Sequence, residues 1–382
     1  MYRISERLAK VKNKAQDAFG SISMIFAGDF AQLPPIGGET VSLYTHTAGK
    51  IATTLRGNYA AIGKALWHQV THVVILRKNM RNQGESNEDK KFRKALENMR
   101  YKACTTDDIR FLNTLVSSPK TGRHYIGARP WRDAPIIVGE NKQKDEINRL
   151  GCIRFASDTK QQLTDFYSDD CITSKSDSNK LEKTSFKRSK SSKINSISRD
   201  LQDILWDLPP SAHEYHAPAV LSICRGMPVI VRHNVATELN VTKGQRGIVY
   251  TWHASTGKFG QPVLDVLFVL LTDPPNPVQI EGLPLNVVPL TRRKSSGYLY
   301  LPDDSKIYTS RFQVDVLPGF ALTAHASQGQ SLEPNATDLN TFNDHHAYYT
   351  ALSRSRSAKN TIILQGFDSK HITGGASGSL RK

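Results

Sequence analysis

The chain has 382 residues, enough for two or three domains and a sizeable core. Its net charge of +16 and pI near 9.6 draw polyanions, nucleic acid first and an anionic membrane surface second. A membrane span is excluded: the longest apolar run, Val263 to Leu271, contains Asp265 and is too short, and the N-terminus carries no secretory pattern. Cys104, Cys152, Cys171 and Cys224 show no C-x-x-C spacing and read as reduced structural thiols of an intracellular, nuclear or otherwise non-secreted protein. No metal site is read; His345-His346 is assigned a surface or core role.

Ile4, Leu8, Val11, Ala15 and Ala18 recur at helical spacing and predict an amphipathic helix. A helix beginning at Met1 itself hints at missing sequence upstream. Ser23 to Gly28 reads as a short buried strand, and Asp29-Phe30-Ala31-Gln32-Leu33-Pro34-Pro35 leaves its end with two prolines that stop pairing. His72 to Leu76 is a second strand, followed by the basic turn Arg77 to Arg81. Ser86 to Asp89 opens a helix whose inner face is Phe92, Ala95, Leu96 and Met99, and Thr105 to Val116 repeats the arrangement with Ile109, Leu112 and Leu115 inward.

Ala134 to Gly139 reads as a strand and Asn141 to Leu150 as a helix, with Asn141 placed to cap it. From Cys171 to Asp200 nine Ser and eight Lys or Arg with few apolar residues predict a flexible basic segment. Leu201 to Leu208 is a short helix stopped by Pro209-Pro210. Six runs then predict short strands and a small β-barrel: Met227–Val231, Gly247–Trp252, Val263–Leu271, Val287–Leu290, Tyr298–Leu301 and Ile307–Val316. Lys243 and Arg246 flank a tight Gly turn, either as phosphate contacts or as an ordinary basic hairpin. An apolar run ending at Leu322 leads into Thr323-Ala324-His325-Ala326-Ser327-Gln328-Gly329-Gln330-Ser331-Leu332, a polar loop leaving a buried strand, where α/β sheets hold their ligands. Tyr348-Tyr349-Thr350-Ala351-Leu352-Ser353-Arg354-Ser355-Arg356 follows, and the Gly/Ser-rich basic tail after Phe367 reads as disordered.

Three stretches, Gly28 to Pro35, Thr323 to Leu332 and Tyr348 to Arg356, together resemble motifs of superfamily-one DNA helicases. The similarity is to the petite-integration-frequency branch, and within it to the helicase part of Helitron-type transposons. It runs from about Ile22 to Phe367. The resemblance implies that Gln32, with Asp29 beside it, senses the terminal phosphate of ATP, and that Arg81 and Arg354 supply the cations, Arg354 as an arginine finger. A permanently charged, bidentate guanidinium suits that role. It also implies that Thr323, His325, Ser327 and Gln328 meet single-stranded DNA, that Asn141 lies near the bound strand, and that a barrel carrying Asn234, Lys243 and Arg246 sits close to DNA. Ala326 stands where the family has Lys.

A nucleotide-driven motor also needs a phosphate cradle and carboxylates for Mg²⁺. No G-x-x-x-x-G-K-[ST] and no strand ending in Asp-Glu occurs in the sequence. The expectation is the C-terminal part of an ATP- and Mg²⁺-dependent helicase acting on single-stranded and forked DNA, with tight Mg-ATP binding not expected of this chain. The alternative is a non-catalytic DNA-binding remnant. The fold class expected is α/β, with RecA-like motor domains. Residues 1–70 hold a remnant of the first. Residues 71–155 and 318–367 form the second, split by a basic linker (156–215) and an inserted β-barrel (216–317), with a tail at 368–382. Loss of strands from the first domain predicts exposed apolar surface.

Overall fold

The structure is a computed structural model and describes residues 1–35, 43, 54–118, 125–173, 197–239, 241–376 and 378. The basic segment expected before Arg199 lies mostly outside these. The helices are α1 (Tyr2–Val11), α2 (Leu55–Trp67), α3 (Asn87–Arg100), α4 (Thr106–Thr114), α5 (Asn141–Asp158), α6 (Arg199–Asp207), the single turn α7 (Ala324–Ser327) and α8 (His345–Leu352). The strands are β1 (Ile136–Val138), β2 (Thr164–Tyr167), β3 (Asp169–Ile172), β4 (Val220–Ile223), β5 (Pro228–Val231), β6 (Arg246–Thr256), β7 (Pro262–Leu271), β8 (Val287–Tyr300), β9 (Lys306–Val314), β10 (Val316–Pro318), β11 (Ala321–Thr323), β12 (Asn335–Thr337) and β13 (Thr361–Ile363). They form two compact units.

The first unit comprises Met1–His124, Ser331–Glu333 and Phe342–Lys382. α1 is shorter than its periodicity predicts. Asn13 adopts a left-handed conformation (φ 53°), and the Lys14 amide reaches back to the Ala9 carbonyl at 2.9 Å, which ends the helix. Ser5 and Ala9 are its buried residues, while Ile4 and Val11 are exposed. α3 follows its sequence signature. Ser86 caps it by accepting from the Asp89 amide and donating to the Asp89 carboxylate, and Phe92, Ala95, Leu96 and Met99 are buried. α4 begins in a reciprocal capping box of Thr105 and Asp108. Every residue of α8 is buried, His345 and His346 included.

Two predicted strands are not strands. Ser23 to Gly28 and His72 to Leu76 are irregular, with Ile25, Val73, Val74, Ile75 and Leu76 exposed. A strand exists only through its ladder, and neither segment has a ladder partner among the described residues. Apolar composition alone does not supply one.

The second unit comprises Tyr125–Gln330 and Pro334–Thr341. Its parallel strands β11, β1 and β12 lie side by side with β1 central; Val138 pairs with Thr323, so both strands leave the sheet at one end. α5 packs on this sheet. A Cβ on its Gly151 would stand 2.5 Å from the Phe320 ring, so only glycine permits that approach. The buried Asn148 of the same helix accepts from the amides of Phe320 (3.0 Å) and Ala321 (2.8 Å) and donates to the Ala321 carbonyl (3.2 Å). That grip fixes where β11 starts.

The predicted barrel is a seven-stranded antiparallel sheet in the order β10-β5-β6-β7-β8-β9-β3, with no closing pair among the described residues. Val287–Leu290 and Tyr298–Leu301 are not two strands but parts of β8. The single run Ile307 to Val316 breaks at Asp315, which is held by Arg232 (2.8 Å) and His233 (3.0 Å). β2 and β3 arise where the linker was expected. β3 is anchored by a buried ion pair: Arg311 donates through Nε and Nη2 to Asp170, at 2.9 and 2.8 Å.

Candidate nucleotide-sensing cluster and nucleic-acid loop

The first group of sequence candidates converges within the first unit. Asp29 begins a turn in which the Gln32 amide donates to the Asp29 carbonyl (3.1 Å) and the Ala31 amide to the Asp29 carboxylate (3.0 Å). That turn leaves the Gln32 side chain half-buried. Arg100, in the last turn of α3, grips the same carboxylate with two hydrogen bonds, of 2.7 and 2.9 Å. It also donates to the Tyr349 hydroxyl (2.8 Å), which donates on to Asp29 (3.3 Å). Burial, then the Asp29 charge, raise the Tyr349 phenol, so it stays protonated as a donor. Burial lowers the Arg100 pKa, but Tyr349 and Asp29 outweigh it and the net shift is upward.

Arg81 donates through Nε to the Ser331 hydroxyl and through Nη1 to the Ser353 carbonyl, both at 2.9 Å. Ser353 links it to Arg354, whose Nη2 donates to the Ser353 hydroxyl (2.8 Å) and whose Nε donates to the Thr350 carbonyl (2.7 Å). Arg354 is only 1% exposed. Burial, then the neighbouring Arg81 charge, bring its pKa down to about 10, so it remains cationic at neutral pH. Ser353 thus bonds both guanidiniums, one through its carbonyl and one through its hydroxyl.

The second group lies within the second unit. Thr323 ends β11 and caps the turn α7, its hydroxyl accepting from the Ala326 amide at 3.3 Å. Ser327 is buried and bonded to the Ala324 carbonyl (2.9 Å), so its role is to close the turn. His325, Ala326 and Gln328 are exposed. Gly329 follows with φ +85°. The β5–β6 turn stands against this loop: a Cβ on Gly244 would meet the Gln330 amide nitrogen at 3.1 Å. The Asn234 side chain accepts from the Lys243 amide (2.9 Å), which fixes that turn and leaves the Lys243 side chain exposed. Arg246 is half-buried, and burial lowers its pKa.

Asn141 does not cap its helix. Glu140 occupies the cap position without a side-chain bond, and Asn141 is the first helical residue. Its Oδ1 accepts from Lys144 Nζ (3.2 Å) and its Nδ2 faces His216 (3.5 Å), beside a pocket of about 380 Å³ lined also by Lys142 and Pro209. Sequence reasoning missed Arg100 and Asn148 and gave Tyr349 no role beyond its motif. Each acts on a residue far along the chain, and nothing local marks them.

The second unit's parallel sheet with α5 packed on it defines the class of fold, a mixed α/β fold matching RecA-like motor domains. Residues 3–108 match the family model of the PIF1-like helicases. Among solved structures the chain is similar to Pif1 helicase from Candida albicans (17% identity, TM-score 0.58, covering 100% of this chain and 73% of that one). It is also similar to Pif1 helicase from Bacteroides in complex with ADP-AlF3 and ssDNA (18%, 0.59, 97% and 68%) and to Bacteroides Pif1 bound to ssDNA (17%, 0.58, 97% and 68%). No curated protein matches the sequence. The family model thus matches the first part of the chain, and the fold over its length is that of the Pif1 helicases.

The residues present fit ATP in part. Arg81 and Arg354 suit the oxygens of a terminal phosphate, provided Arg354 turns away from Thr350. Among the described residues no three His, Cys, Asp or Glu side chains cluster, and the Asp29 carboxylate is held by Arg100.

Proposed function

We propose that this chain is the nucleotide-sensing and strand-binding part of an ATP-dependent DNA helicase, running 5′ to 3′. Its work lies in replication, repair, recombination or Helitron-type transposition. The carrying observation is the convergence of Asp29, Arg81, Arg100, Tyr349 and Arg354 in one hydrogen-bonded cluster. Gln32 senses the terminal phosphate, Arg81 and Arg354 stabilise its charge, and Thr323, His325, Gln328, Lys243, Arg246, Asn234 and Asn141 face DNA. Residues 1–70 belong to the first motor domain. Residues 71–155 and 318–367 belong to the second, and 216–317 to an inserted barrel. Because no phosphate-loop motif occurs in these 382 residues, the chain by itself does not hydrolyse ATP.

The test is DNA-stimulated ATP hydrolysis by the 382-residue protein beside a version extended upstream from its own locus. The expected result is hydrolysis by the extended protein only, falling by about 10²-fold or more in Arg354→Ala. Hydrolysis by the short chain that Arg354→Ala abolishes would overturn the claim of a missing phosphate site. The absent phosphate loop also favours a second reading, a non-catalytic DNA-binding remnant. It wins if neither protein hydrolyses ATP while the short chain binds DNA with steep salt dependence.

A further inference from the structure

One face of the β8–β9 hairpin alternates cations and rings. In register, Lys294 pairs with Phe312, Ser296 with Ser310, Tyr298 with Tyr308 and Tyr300 with Lys306. Paired residues of an antiparallel ladder share a face. The opposite face is the packed one, where Leu299, Thr309, Arg311 and Gln313 are buried. On the open face Tyr300 is 49% exposed, and Tyr298, Tyr308 and Phe312 are half-buried. Tyr298 stands edge-on to both Tyr300 and Tyr308, with centroids 5.8 and 6.2 Å apart. The Lys306 ammonium sits 3.5 Å from the Tyr298 centroid, and Lys294 lies 6.0 Å from that of Phe312. Neither lysine has a carboxylate partner at ion-pair distance among the described residues. The face runs from Lys294 to Tyr300, on the order of 20 Å at strand rise. Asp303 and Asp304 mark its end in the hairpin turn.

We propose that this face is a stacking platform for single-stranded DNA, separate from the loop at Thr323–Gly329. Tyr300, Lys306 and Tyr308 lie at the hairpin end of the β8–β9 ladder, whereas the other end, at Val314, runs through Asp315 into β10 and on toward that loop. Rings accept bases of any sequence, and ammonium groups beside them meet the phosphates. Lys306 already covers one face of Tyr298 and Ser310 is buried, so the open ring that the platform offers a base is Tyr300. The inference rests on the DNA-helicase reading, which supplies single-stranded DNA as the occupant.

The experiment is fluorescence anisotropy of a labelled oligothymidine with the full 382-residue chain across a salt series. Tyr300→Ala is expected to weaken binding roughly 5- to 150-fold, while Tyr300→Phe, which keeps the ring, leaves it unchanged. Lys294→Ala and Lys306→Ala should each reduce the salt slope by about 0.7. Melting temperatures of the variants serve as the folding control. If the wild-type chain binds the oligonucleotide and Tyr300→Ala binds equally well, the platform is wrong and the DNA reading survives. If the chain binds no DNA at all, both fail. Tighter binding of oligouridine, or of a proline-rich peptide, would overturn the choice of occupant.

Discussion

Arg100 and Asp29 stand 71 residues apart in the chain and meet through two hydrogen bonds, with the Tyr349 hydroxyl closing the triangle. The contact joins the turn that contains Gln32 to α3 and, through Tyr349, to α8, which ends two residues before Arg354. A shift at either end is therefore felt at the other. The side chains are 35% and 19% exposed, so solvent screens part of the attraction. Arg100→Ala should cost about 1–2 kcal/mol, less than a fully buried pair. Arg100→Lys should recover little, because an ammonium cannot span both carboxylate oxygens. Urea unfolding of the two variants, with Asp29→Ala completing a double-mutant cycle, measures the coupling. A coupling near zero would remove the contact from the argument.

Arg311 and Asp170 are the fully buried counterpart, at 1% and 4% exposure. Arg311 also donates to the Ala217 carbonyl (2.9 Å), and Gln202 of α6 donates to Asp170 (3.3 Å). Removing one partner strands a charge in the interior, so Asp170→Ala should cost about 3–5 kcal/mol. Replacing both with apolar residues should cost much less than the single change. Denaturant midpoints of the single and double variants decide it. Equal losses in both would mean that the wider hydrogen-bond network, not the stranded charge, dominates.

Helices α3 and α4 of the first unit were legible because their signals are local, while α2 and α8 were not read. Ser86, Thr105 and the 3.6-residue spacing of Phe92, Ala95, Leu96 and Met99 lie within one turn of what they specify. β5, β6, β7 and β9 were legible for the same reason, whereas β2, β3 and β4 were not, and β8 hides its continuity because its middle runs through Arg292, Arg293 and Lys294. Ser23–Gly28 and His72–Leu76 misled because an apolar run reports the wish for burial, not the presence of a neighbour to pair with. The cluster was half legible. Motif resemblance brought Asp29, Gln32, Arg81 and Arg354 forward, while Arg100 has no local mark and became visible only through its geometry.

Two buried histidines give the stability a pH dependence. Burial, then the charge of Arg311, brings His213 down to about 4, and burial with the neighbouring His346 does the same for His345. The unfolded chain, with an ordinary value near 6.5, takes up protons first as the pH falls. Stability is therefore complete above about pH 6.5 and drains away between there and about pH 4, by at most about 3 kcal/mol for each histidine. Urea midpoints at about pH 7.5 and pH 5 should differ accordingly, and His213→Gln should flatten part of the slope. A midpoint that rises toward pH 5 would contradict the assignment.

Asn148 offers the sharpest separation of positioning from contact at the loop that begins at Thr323. It touches only the backbone at the start of β11, satisfying two buried amides and one carbonyl, three residues before Thr323 begins the loop turn. Asn148→Ala leaves those groups without partners at a cost of about 2–4 kcal/mol. Water cannot readily replace the lost amide, because the Phe320 ring packs against Gly151 on the same helix face. Asn141→Ala, on the same helix but half-exposed and making longer bonds, should change stability by less than about 1 kcal/mol. The two also part in function. If Asn141 faces the strand, its loss weakens oligonucleotide binding with the melting temperature held. Loss of Asn148 lowers the melting temperature first and weakens binding only as β11 and its loop lose register. Measuring both quantities on both variants separates the roles, and a melting temperature untouched by Asn148→Ala would remove Asn148 from the positioning of the loop.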